Sequence, residues 1–329
     1  MATSKMKLLI TGASGYLGQH FLSSIFSNDK ESIPKNYEIF AVYHRSPAFE
    51  AAVQSVAFCC HVHSLDLTDA VAVDDYLQKY GPFDICFHLA AVSSPAVCES
   101  KPDLAKSLNV PIHFLQSLLH LKCFLVVTST DQVYEGNKGS PYIEEDSPHP
   151  VNTYGRTKLE LEQWIVANYQ DAIILRSSIL LGPRAPLSSD AHDTFLHFCY
   201  SLREEPTTFF TDECRSVLAV MDAVRVFEYV LMSSICGGSP GRIPPGTYNM
   251  GGPDSISRYD MALVVQTFFQ SSADTILPVI KGRTAGGVPS PLDITMTSQK
   301  LYSVIGFKFK SLKEIIPLTF HQEKALLKL

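Results

Sequence analysis

The stretch Leu8-Leu9-Ile10-Thr11-Gly12-Ala13-Ser14-Gly15-Tyr16-Leu17-Gly18 decides the fold. An apolar run suited to a buried strand passes directly into glycines spaced G-x-x-G-x-x-G, and helical periodicity follows over Tyr16–Phe26. Strand, tight turn and helix in that order make a phosphate site. Gly12 permits the turn, Gly15 lets the backbone approach a pyrophosphate, and Gly18 lets the helix pack closely on the strand. The free N–H groups and the dipole at the helix start then attract the anion.

Outward from this turn, short β-rich apolar runs alternate with longer helical stretches. Strands are expected at Lys7–Thr11, Glu38–Tyr43, Ala57–Leu65, Asp84–Leu89, Phe124–Thr128 and Ala172–Arg176. Helices are expected at Tyr16–Phe26, Ala70–Tyr80, Ala105–His120 and Tyr154–Asn168, with Asp69 and Asn152 as helix starts. That rhythm builds an α/β doubly wound parallel sheet covered on both faces. After residue 180 it breaks into Pro/Gly-rich loops with shorter helices at Val220–Met232 and Arg258–Gln270. We therefore expect a dinucleotide-binding domain over 1–180 and a smaller substrate-binding lobe over 181–329, with 217–235 packing back on the first domain. Ligands of such sheets bind beyond the carboxyl ends of the strands, so the lobe would close a cleft there.

The 329 residues are 46% hydrophobic and 18% charged, which excludes a disordered, collagen-like or coiled-coil chain. A formal net charge of −6, with no run of Lys or Arg, argues against nucleic acid as a partner. No apolar run approaches the roughly 18 residues needed to span a bilayer. The start Met1-Ala2-Thr3-Ser4-Lys5-Met6-Lys7 leads straight into the first strand without a signal-peptide pattern, and a cytoplasmic location is expected. The 8 cysteines are scattered without a C-x-x-C pair, and we read them as reduced thiols. His61-x-His63 lacks accompanying ligand residues, so alternation on a strand face explains it and no metal is assigned.

The second strand ends in Tyr43-His44-Arg45-Ser46, where an NAD-specific fold would place an acid for the ribose 2′-hydroxyl. Arg45, helped by His44 or Ser46, would pair with a 2′-phosphate, so NADP(H) is favoured over NAD(H); the alternative is a solvated arginine. Asp66 follows the third strand and either accepts from the adenine amino group or, as a helix-capping neighbour, is merely structural. Tyr154-Gly155-Arg156-Thr157-Lys158 is a Y-x-x-x-K on an expected helix, which puts phenol and ammonium on one face. The cation would lower the phenol pKa and let it exchange a proton near neutral pH. Val127-Thr128-Ser129-Thr130-Asp131 would close a strand at the same sheet edge and present hydroxyls there.

Taken together, the glycine turn, His88-Leu89-Ala90-Ala91, the S-T-D-x-V-Y at Ser129–Tyr134 and the Tyr154/Lys158 pair resemble the extended short-chain dehydrogenase/reductases, with their NAD(P)-binding Rossmann domain. Within them, Pro141-Tyr142-Ile143-Glu144-Glu145-Asp146-Ser147-Pro148 and Asn152–Glu160 are similar in style to dTDP-4-dehydrorhamnose reductases and to the regulatory β subunit of methionine adenosyltransferase. The resemblance is good over residues 7–182 and looser beyond.

That resemblance implies a catalytic set. Thr130 would hydrogen-bond the substrate oxygen, Tyr154 would be the acid/base, and Lys158 would also hold the nicotinamide ribose. It implies a cofactor path along Gly12, Ser14, Gly15, Tyr16, Leu17, Gly18, His44, Arg45, Asp66, Leu67, Leu89, Ala90 and Ala91 to Ser177 and Ser178. Ser93, Asp131, Arg184 and Arg215 are candidate substrate contacts. Asp131 would orient Thr130 or support the substrate, or simply form the turn. Arg215 sits where some nucleotide-sugar enzymes place a diphosphate-binding arginine, with a surface arginine as the alternative. Serines at 177 and 178, where many epimerases and dehydratases carry Asn, favour a reductase. Two functions are consistent with the set: an NADP(H)-dependent reductase of a nucleotide-linked keto sugar, and a non-catalytic partner of a methionine adenosyltransferase catalytic subunit. In the second, Phe307-Lys308-Phe309-Lys310 and the tail from His321 to Leu329 would engage the partner. A homodimer is consistent with either.

Overall fold

Met6–Thr11 forms β1 and Tyr16–Ile25 forms α1, the strand, turn and helix read from the glycine spacing. The computed structural model describes residues 5–27, 32–56, 58–187, 193–202, 206–235, 243–281 and 287–321. The central sheet continues with β2 (Tyr37–Tyr43), β3 (His61–Ser64), β4 (Ile85–His88), β5 (Phe124–Thr130), β6 (Ala172–Ser177) and β7 (Gly246–Met250). Their order is β7-β6-β5-β4-β1-β2-β3 and every neighbouring pair is parallel. Strand order reverses between β1 and β4, so the carboxyl ends of these two strands open a crevice.

Both faces are covered because the inner strands are apolar on both sides. One face carries α1 and the helix Val220–Ile235, where Phe21 and Phe227 meet edge to face at 5.0 Å. The other carries Ala70–Tyr80, Ile112–His120 and α2 (Thr153–Asn168), with Val73, Leu115, Leu118, Leu161 and Ile165 in one cluster. Asp69 and Asn152 cap helices as expected. Asp69 accepts from the N–H groups of Val71 and Ala72, and Asn152 accepts from that of Gly155, caps worth about 1 kcal/mol each.

Within the central sheet and the helices on it, three differences from the sequence reading stand out. The helix expected over Ala105–His120 is two helices, Pro102–Asn109 and Ile112–His120, because Pro111 removes an N–H and pushes Val110 out of the helical region. The strand expected over Ala57–Leu65 is only His61–Ser64; Ala57 lies outside the described residues. On that short edge strand His61 and His63 share a face and stack near Phe40, His61 at 4.5 Å. The third difference is β7, a strand the pattern did not mark, which returns after residue 181 to pair with β6. Residues 220–235 do pack against α1, and Leu301, Ile305 and Phe309 join the same cluster.

A separate cluster holds the remaining elements together. Leu181, Leu196, Phe209, Val217, Met261, Val265, Ile276, Ile315 and Phe320 form it around the helix α3 (Arg258–Phe269). Among the described residues no helix is long and apolar enough to cross a membrane, and seven cysteines are free thiols; Cys236 lies outside them.

Candidate functional site

The glycine turn closes against β4. Gly12 has φ +69°, and a Cβ there would lie 2.6 Å from the Ala90 nitrogen, so only glycine fits. At Gly18 an added Cβ would stand 2.3 Å from the Gly12 carbonyl, the close packing expected. Gly15 is the N-cap of α1 and offers no side chain to its amides, and no acidic residue sits in the first turn. That helix start is an uncapped set of donors beside a cavity, a fit for a pyrophosphate.

A cavity of about 500 Å³ runs from this turn to the carboxyl ends of β5 and β6. Gly12, Gly15, Tyr16, Leu17, Gly18, Leu89, Ala91 and Ser93 line one end; Thr130, Asp131, Tyr154, Lys158, Ser177, Ser178 and Arg215 line the other. A second cavity of about 310 Å³ shares Gly12, Gly15, Leu89 and Ala91 with it and continues past Ser14, His44, Leu67 and Ala90. Residues from eight separate sequence segments are thus brought to one continuous cleft.

Local packing fixes the reacting groups. A Cβ on Gly155 would be 2.2 Å from the Gln132 carbonyl, so this glycine lets α2 close on the turn after β5 and sets Tyr154 beside Thr130. Thr130 hydrogen-bonds the Tyr154 phenol and donates to Asp131 Oδ1 at 3.2 Å, while Ser178 donates to Asp131 Oδ2 at 2.7 Å. Asp131 therefore orients Thr130. Burial pushes its carboxyl up against the nearby charges of Arg215 and Arg258. Asn109, which the sequence reading missed, is fully buried. It bonds both N–H and C=O of Val92 and reaches Thr157 at 3.0 Å, tying the loop after β4 to α2.

The expected effect of Lys158 on Tyr154 is overturned. Burial raises the phenol pKa well above its usual range, opposed by the Thr130 hydrogen bond and reinforced by Asp131 and Cys98. Desolvation is the largest cause, because the phenol is removed from water. Lys158 is itself pushed down to about 8 by burial, partly restored by Glu162 one turn on. At neutral pH the pair is a protonated phenol beside an ammonium.

The lysine carries a stability prediction. Its folded pKa lies below its unfolded value, so its charge is a penalty at full strength below pH 8, fading as pH rises from 8 toward 10.5. Lys158→Met is expected to melt higher than wild type at pH 7, with the difference shrinking by pH 10. Melting curves across that range check it, and a difference that does not change with pH would contradict it.

Other expected residues are not brought in. Arg184 is exposed, pairs with Asp193 and does not line the cleft. Arg45 is exposed beyond His44 and lines neither cavity. Ser46, offered as its helper, is buried and caps the following helix by accepting from Phe49 N–H. Asp66 accepts from the N–H and hydroxyl of Thr68 and lies 3.4 Å from His44, whereas its neighbours Leu65 and Leu67 line the cavity, which favours the structural alternative, a turn leading into the helix that Asp69 caps. Arg215 is no surface arginine, being 3% exposed. Arg258, Gln132 and Ser290 also line the main cavity, without any signal in the local sequence.

The RmlD substrate binding domain model matches residues 6–324. The chain belongs to this family. Solved structures with this fold include dTDP-4-dehydrorhamnose reductases and UDP-sugar epimerases in complex with NADP or NAD. Among its relatives, the methionine adenosyltransferase 2 subunit beta of Xenopus laevis is 27% identical over 297 residues, covering 90% of this chain and 81% of that protein. Among solved structures, dTDP-4-dehydrorhamnose reductase from Bacillus anthracis in complex with NADP has a TM-score of 0.75 at 22% identity, covering 98% of this chain and 100% of that one. A UDP-glucose 4-epimerase from Thermus thermophilus in complex with NAD has a TM-score of 0.76 at 18% identity, over 97% and 99% of the two chains. At those identities the structures establish the fold of this RmlD family member.

Proposed function

We propose that this RmlD family chain is an NADP(H)-dependent reductase of a keto group on a nucleotide-linked deoxy sugar. The observation that carries the reading is the Thr130–Tyr154–Lys158 set on the wall of a cleft that begins at an uncapped, glycine-built helix N-terminus. The dinucleotide would be held by the turn at Gly12–Gly18, by Leu89–Ala91 and by Lys158, in a domain that the expected 1–180 boundary cuts short, since β7 and the helix Val220–Ile235 complete its sheet and core; the substrate lobe would be drawn from the rest of 181–329. When bound, it supplies the hydride that reaches the carbonyl carbon. Thr130 holds the carbonyl oxygen, fixed by Asp131. Tyr154, kept protonated by burial, gives its proton to that oxygen as the carbonyl becomes an alcohol. The Lys158 ammonium stabilises the phenolate left behind.

NADPH is expected to bind more tightly than NADH, because His44 and Arg45 follow β2 with no acid in the ribose position. Arg45→Ala should remove about 1.5 kcal/mol of that preference, roughly tenfold. Cofactor titrations of both proteins check this; equal wild-type affinities would contradict the assignment.

The second reading, a non-catalytic partner of a methionine adenosyltransferase catalytic subunit, is favoured by the relatives that carry the β-subunit name over most of this chain. Phe307–Lys310, expected to engage such a partner, is committed within the chain. Phe309 is buried, and Lys310 bonds Asp222 through its N–H at 2.6 Å and its ammonium at 3.0 Å. The tail beyond His321 lies outside the described residues. NADPH oxidation with a panel of nucleotide-linked 4-keto sugars, beside affinity capture with a methionine adenosyltransferase, separates the two: turnover supports the first, a stoichiometric partner without turnover the second.

A further inference from the structure

Two arginines reach the substrate end of the cleft, and their surroundings differ. Arg215 spends its guanidinium on the protein: Nη1 donates to the carbonyls of Cys214 and Leu292 at 2.8 and 2.7 Å, and Nη2 to Pro291 O at 3.0 Å and Ser290 Oγ at 3.2 Å. It clasps the 290–292 segment. Arg258, the first residue of α3, lies over the Phe195 ring at 4.7 Å. Its Nη1 is buried with no hydrogen-bond partner, and among the described residues the side chain forms no ion pair.

The charges facing Arg258 cannot satisfy it. They are Arg215, Glu213 and Asp131, together with the thiol of Cys199, which burial keeps neutral. Glu213 is taken by Lys281 at 2.5 Å and Arg215 at 3.9 Å. Both Asp131 oxygens accept hydroxyl hydrogen bonds from Thr130 and Ser178. Burial and the like charge of Arg215 push Arg258 down to about 10, the signature of a guanidinium short of counter-charge. A buried guanidinium nitrogen without a hydrogen-bond acceptor is costly, and one that lines a ligand cleft can take its acceptor from the ligand.

We propose that Arg258, rather than Arg215, is the anion anchor of the cleft, binding an oxyanion carried by the substrate, a diphosphate or a sugar carboxylate. The planar fork suits either. Because Asp131 feels the charge of Arg258 and accepts from Thr130, and Arg258 lines the same cavity as Tyr154, the anchored group would set how far the carbonyl lies from Tyr154. The inference rests on the proposed function only for the identity of the cleft as the substrate site.

The test uses full-length protein saturated with NADPH, so that the glycine turn is filled, titrated calorimetrically with dTDP, UDP and glucuronate. At least one should bind saturably, and Arg258→Gln should weaken that binding about tenfold or more while leaving NADPH affinity unchanged. Dependence confined to the nucleotides identifies the diphosphate; dependence confined to glucuronate identifies a carboxylate. Arg258→Gln should also melt at or above the wild-type temperature, whereas Arg215→Gln, which loses four hydrogen bonds, should melt lower. Failure of all three probes to bind, binding indifferent to Arg258→Gln, or an Arg258→Gln protein melting well below wild type would each overturn the proposal. Anion binding without turnover of any keto sugar would sink the reductase reading and leave this one standing.

Discussion

Tyr154→Phe is expected to cut turnover of a keto substrate by about 100- to 10,000-fold, the range general acid catalysis contributes, while cofactor affinity stays near wild type. The ring still packs in place: Tyr154 is buried and clusters with Cys98 and Ala105, and only the hydroxyl beside Thr130 is lost. A fall in kcat without a matching rise in cofactor Kd is the signature of a group acting in the transition state. Steady-state rates with a cofactor titration check it, and a variant that keeps more than about a tenth of the rate would mean another group donates the proton.

Glu162→Ala should cost about 3–5 kcal/mol of stability and lower the melting temperature by roughly 10 °C. Glu162 lies one turn beyond Lys158 on α2 and is buried against Arg176 of β6; Arg176 donates from Nη2 at 2.7 Å and from Nε to both carboxylate oxygens. Ser129 donates to the same carboxylate, and Arg176 Nη1 reaches the Tyr134 hydroxyl at 2.9 Å. Removing one partner strands the other charge in the core, while Glu162→Leu with Arg176→Met should recover most of the loss. Glu162 also supports the ammonium of Lys158, so Glu162→Ala should move that lysine below its value of about 8. Denaturant unfolding of the three proteins checks the prediction; a single variant costing under about 1 kcal/mol would show the pair to be no more than a surface-type bridge.

How much of this was legible in the sequence depends on whether the signal is local. Residues 6–25 were legible almost to the boundary because glycine spacing and apolar runs act within a few residues. Tyr154 and Lys158 share a helix, and their spacing alone puts them on one face. The break at Pro111 was also written locally, in Val110-Pro111, and helical periodicity on either side concealed it. β7 was hidden because Thr247-Tyr248-Asn249-Met250 sits among glycine and proline loops, and its partner β6 lies about 70 residues earlier.

The substrate end was the least legible part. Arg215 was visible as a residue, but its acceptors lie at 290–292, and no local spacing reveals that they occupy it. Arg258 carries no pattern at all; only the fold brings α3 to the cleft and leaves its Nη1 without a hydrogen-bond partner. The direction of the Tyr154 pKa was misread for the same reason, since helical spacing shows the neighbouring cation but not the burial that raises the phenol.

The central claim is that hydride reaches a substrate carbonyl in the Thr130–Tyr154 cleft, and isotope transfer tests it most directly. Wild-type protein is incubated with NADPH carrying deuterium at the nicotinamide C4 and with nucleotide-linked 4-keto-deoxy sugars, and the products are read by mass spectrometry. The account predicts deuterium on the former carbonyl carbon with wild type, and a label reduced by about 100-fold or more with Tyr154→Phe over the same time. Unlabelled sugar with NADPH left intact would contradict it.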